Sequence, residues 1–302
     1  MGNSGALAPA PPLPYPRFWA TVGRRPARRR PGVVDDVGWA PGERPLRIVV
    51  VGKGGTGKSV VSGTMARILG RLERPVLALD TDTMPGLAQS LGTTAPPSPP
   101  LAEAVEKAEG GCWRLKKGIG PVRAVQRFST LAPDGVRVLE VGDNPVSGVQ
   151  SVTPSSQAFY QVIHGLPEAR ALRDWTMIGD HPAGPRQTAH DWAPYADTLL
   201  VVAEPSWKSA LTARRLAGLA KARGTTTRLV ATKVTGRRDA DRVAEIVGLP
   251  VTAAIPADEA VVQSDRLGVA LIDYAPSCPA VRAIEGLVDG LVADTINPVA
   301  DQ

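Results

Sequence analysis

The residues best suited to chemistry in this chain form one short run, Gly52-Lys53-Gly54-Gly55-Thr56-Gly57-Lys58-Ser59. The run satisfies G-x-x-x-x-G-K-[ST] at every fixed position, after an apolar segment and at the opening of an amphipathic one. Glycine lets the backbone fold so that consecutive N–H groups face an anion, and a following helix adds the positive end of its dipole. Gly54, Gly55, Thr56 and Gly57 would form this cradle. Lys58 would reach the β- and γ-phosphates, and the Ser59 hydroxyl would ligate magnesium. Glycines 52, 54 and 57 also fit G-x-G-x-x-G, with Asp80 closing the next strand, as in a dinucleotide-binding oxidoreductase. Two features favour phosphates and magnesium instead. The Lys58-Ser59 pair has no task in pyrophosphate binding, and a second strand-end aspartate, Asp180, is needed only by a nucleotide hydrolase.

Three carboxylates complete the constellation. Asp180 ends the apolar run that starts at Trp175 and is followed by His181, Pro182, Ala183 and Gly184. This is the pattern that holds magnesium through water or through Ser59; a loop aspartate capping the next helix is the alternative. His181 reads as a loop neighbour rather than a ligand. Asp80 and Asp82 sit together after the second strand. Asp82 is assigned to orienting the attacking water and Asp80 to contacts around magnesium, with turn capping as the alternative for either.

Positioning these residues takes strands that end in them. Leu46–Gly52 and Pro75–Asp80 read as buried strands, with a helical stripe over Ser59–Leu72 between them. Further strand-like runs lie at Val136–Val141, Trp175–Ile178, Thr198–Val202, Thr227–Ala231 and Val251–Ile255. Helical patterns fall near 156–166, 207–221, 238–247, 258–267 and 278–293, the last with Ser277 as its cap and Pro279 in its first turn. Strands alternating with helices predict a doubly wound α/β fold, a mostly parallel sheet with helices on both faces. Residues 93–135 are the least regular and read as an insertion or a mobile region.

Composition sets the remaining bounds. Of 302 residues, 43% are hydrophobic and 21% charged, ordinary for a globular chain. No apolar run approaches the roughly 20 residues that span a bilayer, and the N-terminus lacks the apolar core of a secretory signal. Two distant cysteines, Cys112 and Cys278, offer neither a zinc ligand set nor a disulfide framework, which predicts a cytoplasmic protein. The net charge of +6 is concentrated in residues 1–45, where seven arginines face three acidic residues. That segment is proline-dense and without periodicity, so it is expected to be a disordered tail ahead of a 46–302 nucleotide-binding domain. It reads as a solvated extension or as a basic arm for nucleic acid.

The segment from Lys53 to Ser59 resembles the deviant phosphate loop of the MinD/ParA/nitrogenase iron protein superfamily. Within it the chain is most similar to the carbon monoxide dehydrogenase maturation ATPases, the CooC-like group, from about Leu46 to about Leu291. The resemblance rests also on the Asp80–Asp82 turn, the Asp180 loop, Leu199–Ser206, Ile255–Asp258 and Asp273–Ile284. It implies ATP with Mg2+ as cofactors and an ATP-dependent homodimer, in which Lys53 reaches the partner's nucleotide phosphates. It also implies slow hydrolysis of ATP to ADP and phosphate, a client protein, and a base-side pocket using Thr232, Pro256 and Asp258. There are departures. Ser151-Val152-Thr153-Pro154 stands where nickel-handling members have Cys-x-Cys-Pro, and hydroxyls are poor ligands for such a metal. Thr232-Lys233 replaces the usual Asn-Lys, and Thr83 replaces a proline.

The expected function is therefore a nucleotide switch acting as a maturation or accessory factor, without the nickel site. The alternative is a spatial organiser that binds DNA through the Arg24–Arg30 run. Membrane docking is disfavoured, because Asp289–Gln302 contains neither cation nor aromatic residue. A third reading is a binding module that has kept the fold and lost turnover.

Overall fold

A computed structural model describes residues 43–83, 86–94, 100–109, 111–142, 152–189 and 191–296. The arginine-rich segment up to residue 42, residues 84–85, Ser151 and the last six residues lie outside these, as do the readings placed on them. Seven expected strands are present: β1 (Arg47–Gly52), β2 (Val76–Asp80), β6 (Arg137–Glu140), β7 (Thr176–Asp180), β8 (Thr198–Ala203), β9 (Thr226–Val234) and β10 (Val251–Pro256). They pair in parallel. One further strand, β5 (Thr130–Leu131), runs antiparallel to β6. The sheet order is β10-β9-β8-β1-β7-β2-β6-β5, so β1 lies between strands that follow it by more than 100 residues. Chain direction across the sheet reverses at β1, and the crevice above its carboxyl end is where such sheets bind ligands.

Five of these strands, β1, β2, β6, β7 and β8, are buried almost throughout because helices cover both faces, whereas the edge strand β10 leaves Thr252 and Ala254 exposed. Alternation sends Ile48, Val50, Ala78 and Ile178 toward α1 (Lys58–Arg71) and α10 (Pro279–Ile296). On the other face, Leu77, Leu79 and Met177 meet Phe159, Val162 and Ile163 of α4 (Val152–Gly165). Val49, Val51 and Leu199 there meet Ala213 and Leu216 of α6 (Trp207–Ala222). The remaining helices are α2 (Leu87–Ser90), α3 (Pro121–Phe128), α5 (Arg186–Ala189), α7 (Arg237–Val247), α8 (Glu259–Leu267) and α9 (Leu271–Tyr274). Among the described residues no helix is long and apolar enough to cross a membrane.

Two expectations are corrected. The stretch 93–135, read as an insertion or a mobile region, contains ordered structure among its described residues, which corrects the mobile reading. A hairpin of β3 (Val105–Lys107) and β4 (Trp113–Leu115), together with α3, buries Leu101, Ala104, Val105, Ala124 and Val125 against α4. Its apolar residues serve pieces too short to show a period. Ser277 does not cap the last helix either. The helix starts at Pro279, and the Ala280 N–H donates to the Asp258 carboxylate at 3.0 Å, so the cap comes from the end of β10.

Candidate functional site

The glycine run leaves β1 at its carboxyl end and enters α1. Gly52 cannot be replaced there: a Cβ would sit 2.4 Å from the Val202 carbonyl oxygen of the neighbouring strand. Gly55 (φ +80) and Gly57 (φ +85) both take the left-handed conformation that turns the loop back on itself. Gly57 is the N-cap of α1 without any side-chain cap, which leaves the first N–H groups of the helix available to an anion. The Thr56 hydroxyl donates to the Lys53 carbonyl at 2.8 Å, and the buried Lys58 ammonium reaches the same oxygen at 3.4 Å. Lys58 is thus curled over the loop it serves. Lys53 is different: among the described residues its ammonium has no hydrogen-bond or ionic partner.

A brace from β9 holds the loop from behind. Lys233, in the left-handed conformation (φ 54), donates to the Gly55 carbonyl at 2.6 Å and pairs with Glu204 at 3.2 Å. The Thr232 hydroxyl donates to the Thr56 carbonyl at 2.9 Å. Thr232 therefore spends its hydroxyl on the loop and adds only surface to a small apolar cavity of about 170 Å3. Thr56, Gly57, Val60, Ile255 and Pro256 line the same space, which suits a planar base. Asp258 borders it too, but its two oxygens cap helices, accepting from Ala260 at the start of α8 and from Ala280 of α10. Its part in the base pocket is to fix the walls.

The carboxylates come level because the strands are in register. Val50 pairs with Asp180, and Asp80 pairs with both Asp180 and Glu140. All three acids lie on the α1 face, and Asp180 lies beside the start of that helix, next to Lys58, Ser59 and Ser62. Burial pushes the Asp180 carboxyl up to about 6, against the Ser59 and Ser62 hydroxyls and the Lys58 charge, which favour the anion; Asp82 opposes them. One of its oxygens, Oδ1, is buried with no hydrogen-bond partner among the described residues. An orphaned carboxylate oxygen beside a serine hydroxyl fits a hard divalent cation. No described group of three or more His, Cys, Asp or Glu residues can hold a metal. A cation here must take much of its shell from phosphate and water, as magnesium does.

Asp80 is fully buried, and its pKa stands well above the ordinary value because of burial and the neighbouring Asp180 and Glu140 charges. Its oxygens accept the backbone N–H groups of Asp82 at 2.9 Å and Leu87 at 3.2 Å. It therefore shapes the turn that presents half-buried Asp82, and the turn-capping reading holds for its contacts. Beyond the turn, Gly86 lies close over Ser59, where a Cβ would meet the hydroxyl oxygen at 3.2 Å. The chain after Asp180 closes the other side. The Gly184 N–H donates to the Gly52 carbonyl at 3.2 Å, and Ala183 packs against Gly54. Lys58, Ser59, Asp80, Asp82 and Asp180 are thus gathered at one crevice.

Two participants escaped sequence reading: Glu204, which pairs with Lys233 in the brace, and Glu140, a buried acid level with Asp80. The signal for Glu140 was available, since it is the one charged residue in an otherwise apolar run, Val138–Val141.

A family model described as the CobQ/CobB/MinD/ParA nucleotide binding domain matches residues 48–272. The chain is 27% identical over 233 residues to an uncharacterised ATP-binding protein of Methanocaldococcus jannaschii, covering 74% of this chain and 90% of that protein. It is 25% identical over 246 residues to the carbon monoxide dehydrogenase accessory protein CooC of Rhodospirillum rubrum, covering 77% and 92%. Among solved structures, the septum site-determining protein MinD of Pyrococcus horikoshii, complexed with Mg-ADP, superposes with a TM-score of 0.64 at 18% identity. The match covers 82% of this chain and 96% of MinD. A ParA family ATPase of Chlorobium tepidum gives 0.61 at 22% identity, covering 82% and 98%.

Proposed function

This chain belongs to the CobQ/CobB/MinD/ParA nucleotide-binding family, and from that premise we propose that it is a magnesium-dependent ATP switch that dimerises on ATP. Residues 46–302 are its working unit. ATP lies with its phosphates in the 52–59 loop and its base against Ile255 and Pro256. Magnesium, held by Ser59 and by Asp180 directly or through water, neutralises phosphate charge when bound. Lys58 holds the β- and γ-phosphates, Asp82 orients the attacking water, and Asp80 fixes the turn that carries it.

The observation that carries this reading is the contrast between the two loop lysines. Lys58 folds into its own cradle, whereas the Lys53 ammonium has no partner among the described residues. A lysine held beside a phosphate site without a counter-charge among the described residues suits phosphates bound by a second copy, where it supplies charge to the transition state. Hydrolysis removes the γ-phosphate and with it the reason for the dimer to persist. The similarity to an accessory protein supports a maturation or accessory role for an unidentified client. With Thr153 and Pro154 in place of a Cys-x-Cys-Pro run, the switch does not carry nickel between its subunits. DNA binding through the arginine-rich arm is the competing role, and deletion of residues 1–42 separates the two. Loss of DNA affinity and its salt dependence on deletion would favour the spatial organiser.

Light scattering in magnesium-ATP, in ADP and without nucleotide tests the switch. The wild type should double its mass only in ATP, and Lys53→Ala should remain a monomer while still binding ATP. A Lys53→Ala dimer of undiminished stability would refute the trans-acting lysine.

The brace makes a smaller prediction. Lys233→Ala removes a charge-assisted tether from the Gly55 carbonyl, but Lys233 is half exposed, so the loss is about 1 kcal/mol. Titration calorimetry with magnesium-ADP should show binding weakened by roughly threefold to tenfold, equivalent to that loss. Unchanged affinity would mean that the loop holds its shape without β9.

A further inference from the structure

Residues 205–238 carry nine cations and no acid, although 46–302 as a whole is nearly balanced, with 28 cations and 26 acids. Arg223, Arg228 and Lys233 are paired within the chain, with Asp191, Asp294 and Glu204. Lys208, Arg214, Arg215 and Lys221 differ. All four are exposed on α6, and their charged groups have no hydrogen-bond or ionic partner among the described residues.

Helix periodicity arranges these cations. α6 turns Ala210, Ala213, Leu216 and Ala220 inward, so Trp207, the half-buried Leu211 and Gly218 run down the middle of its outer face. Arg214 and Lys221 edge this strip on one side, Lys208 and Arg215 on the other. Trp207 is 56% exposed. A Cβ on Gly218 would meet nothing within 4 Å, so internal packing does not call for a residue that weakens a helix interior.

α10 has the matching surface. It turns Val281, Ile284, Leu287, Val288 and Leu291 inward, and beyond Arg282 its outer face carries Glu285 and Asp289 beside Gly286, Gly290 and Ala293. Both acids are exposed and have no partner among the described residues. A Cβ on Gly286 or Gly290 would also meet nothing within 4 Å. The local charge is the reverse of that around α6, since 251–296 holds seven acids against two arginines. α6 and α10 cover opposite faces of the sheet, so within one chain they cannot meet.

We propose that the outer face of α6 docks on α10 of a second copy of this chain. Trp207 lies over the bare strip at Gly286 and Gly290, and the edge formed by Arg214 and Lys221 faces Glu285 and Asp289. A phosphate backbone would use the cations and leave Trp207 and the strip at Gly218 without a role; another helix uses both. The two surfaces differ, so the contact is heterologous and builds rings or open chains of copies rather than a two-fold pair. Exposed ion pairs are individually weak and screened by salt, so the contact forms at high protein concentration and low ionic strength. It needs neither nucleotide nor Lys53, and it is dissociated in the dilute, salted solutions in which the ATP dimer is read.

The test is sedimentation equilibrium of the nucleotide-free full chain. In about 20 mM salt the mean mass should rise between about 10 and 300 µM protein, and in about 0.5 M salt it should return to the monomer. Trp207→Ala should weaken the association at least about fivefold. The double variant Arg214→Glu with Lys221→Glu should stay monomeric at low salt, as should Glu285→Arg with Asp289→Arg. An equimolar mixture of these two should associate again, because each then supplies the charge that the other needs. Thermal unfolding checks that both remain folded; all four positions are exposed. A wild type that stays monomeric at about 300 µM in about 20 mM salt would overturn the proposal. So would association that survives reversal of α6, which would place the contact on the arginine-rich arm, or a mixture that fails to associate. A monomeric wild type whose α6 variant loses affinity for duplex DNA would assign this face to nucleic acid instead.

Discussion

Replacing Arg67 with alanine should lower the free energy of unfolding by about 2–3 kcal/mol, because it removes the buried cation of an ionic junction and leaves the partly exposed Asp134 and Asp273 only Arg71, itself 42% exposed. Arg67 lies in the middle of α1 and is only 2% exposed. Its guanidinium donates to Asp134 at 2.6 Å and holds Asp273 through two bonds of 2.8 and 2.9 Å. A further 2.8 Å bond goes to the Leu91 carbonyl. One side chain thus joins α1 to the turn before β6, to α9 and to the end of the segment that begins at Asp80. The packing leaves no slack, since a Cβ on Gly92 would lie 2.9 Å from Asp273 and 3.0 Å from Arg67. Urea unfolding measures the loss. Arg67→Lys should recover less than half of it, because an ammonium cannot bond Asp273 bidentately. A loss under about 1 kcal/mol would show that the junction only breaks even against solvation. Because Leu91 closes the segment bearing Asp80 and Asp82, the variant should also loosen the turn that orients water.

The parts of this molecule that were legible in its sequence are those with a single physical solution. A strand covered on both faces has to be largely apolar, so β1, β2 and β6–β8 stand out as runs, and the helices between them force the parallel order. The 52–59 loop is legible for the same reason. Gly52 has a carbonyl oxygen where a Cβ would go, and Gly55 and Gly57 take positive φ. The hairpin of β3 and β4 was not legible, because three-residue strands carry no period. Asp258, placed in the base-side pocket by resemblance, was not legible as a helix cap either. An aspartate after a strand reads alike whether it faces a ligand or caps two helices, and only the approach of α10 decides it. The same holds for Thr232, whose hydroxyl is claimed by Thr56 across 176 residues of chain. Sequence spacing locates groups that act through the backbone; what a side chain spends its hydrogen bonds on is settled by packing.

Glu140→Gln should change the pH dependence of stability by about 3 kcal/mol between pH 4.5 and pH 8. Glu140 is 1% exposed, and its Oε1 has no hydrogen-bond partner among the described residues. Burial pushes its carboxyl from an ordinary 4.5 up to about 7. Below pH 4.5 the acid is protonated in both the folded and the unfolded chain, and its titration costs nothing. As pH rises toward 7 the unfolded chain gives up the proton first, so stability falls, and above about 7 the loss is complete. Glutamine keeps the shape and cannot titrate, so the difference between variant and wild type should grow across that window and then level off. Denaturant titrations of nucleotide-free protein at several pH values read it directly. A flat difference would mean that water or a cation satisfies Glu140. The effect extends to the nucleotide site, because the Glu140 charge is among those that raise the Asp80 pKa. Once that charge is removed, Asp80 ionises at lower pH, and the pH at which magnesium-ATP affinity is half-maximal should fall in Glu140→Gln. An unshifted midpoint would indicate that Asp80 serves the turn alone and does not contribute charge to the site.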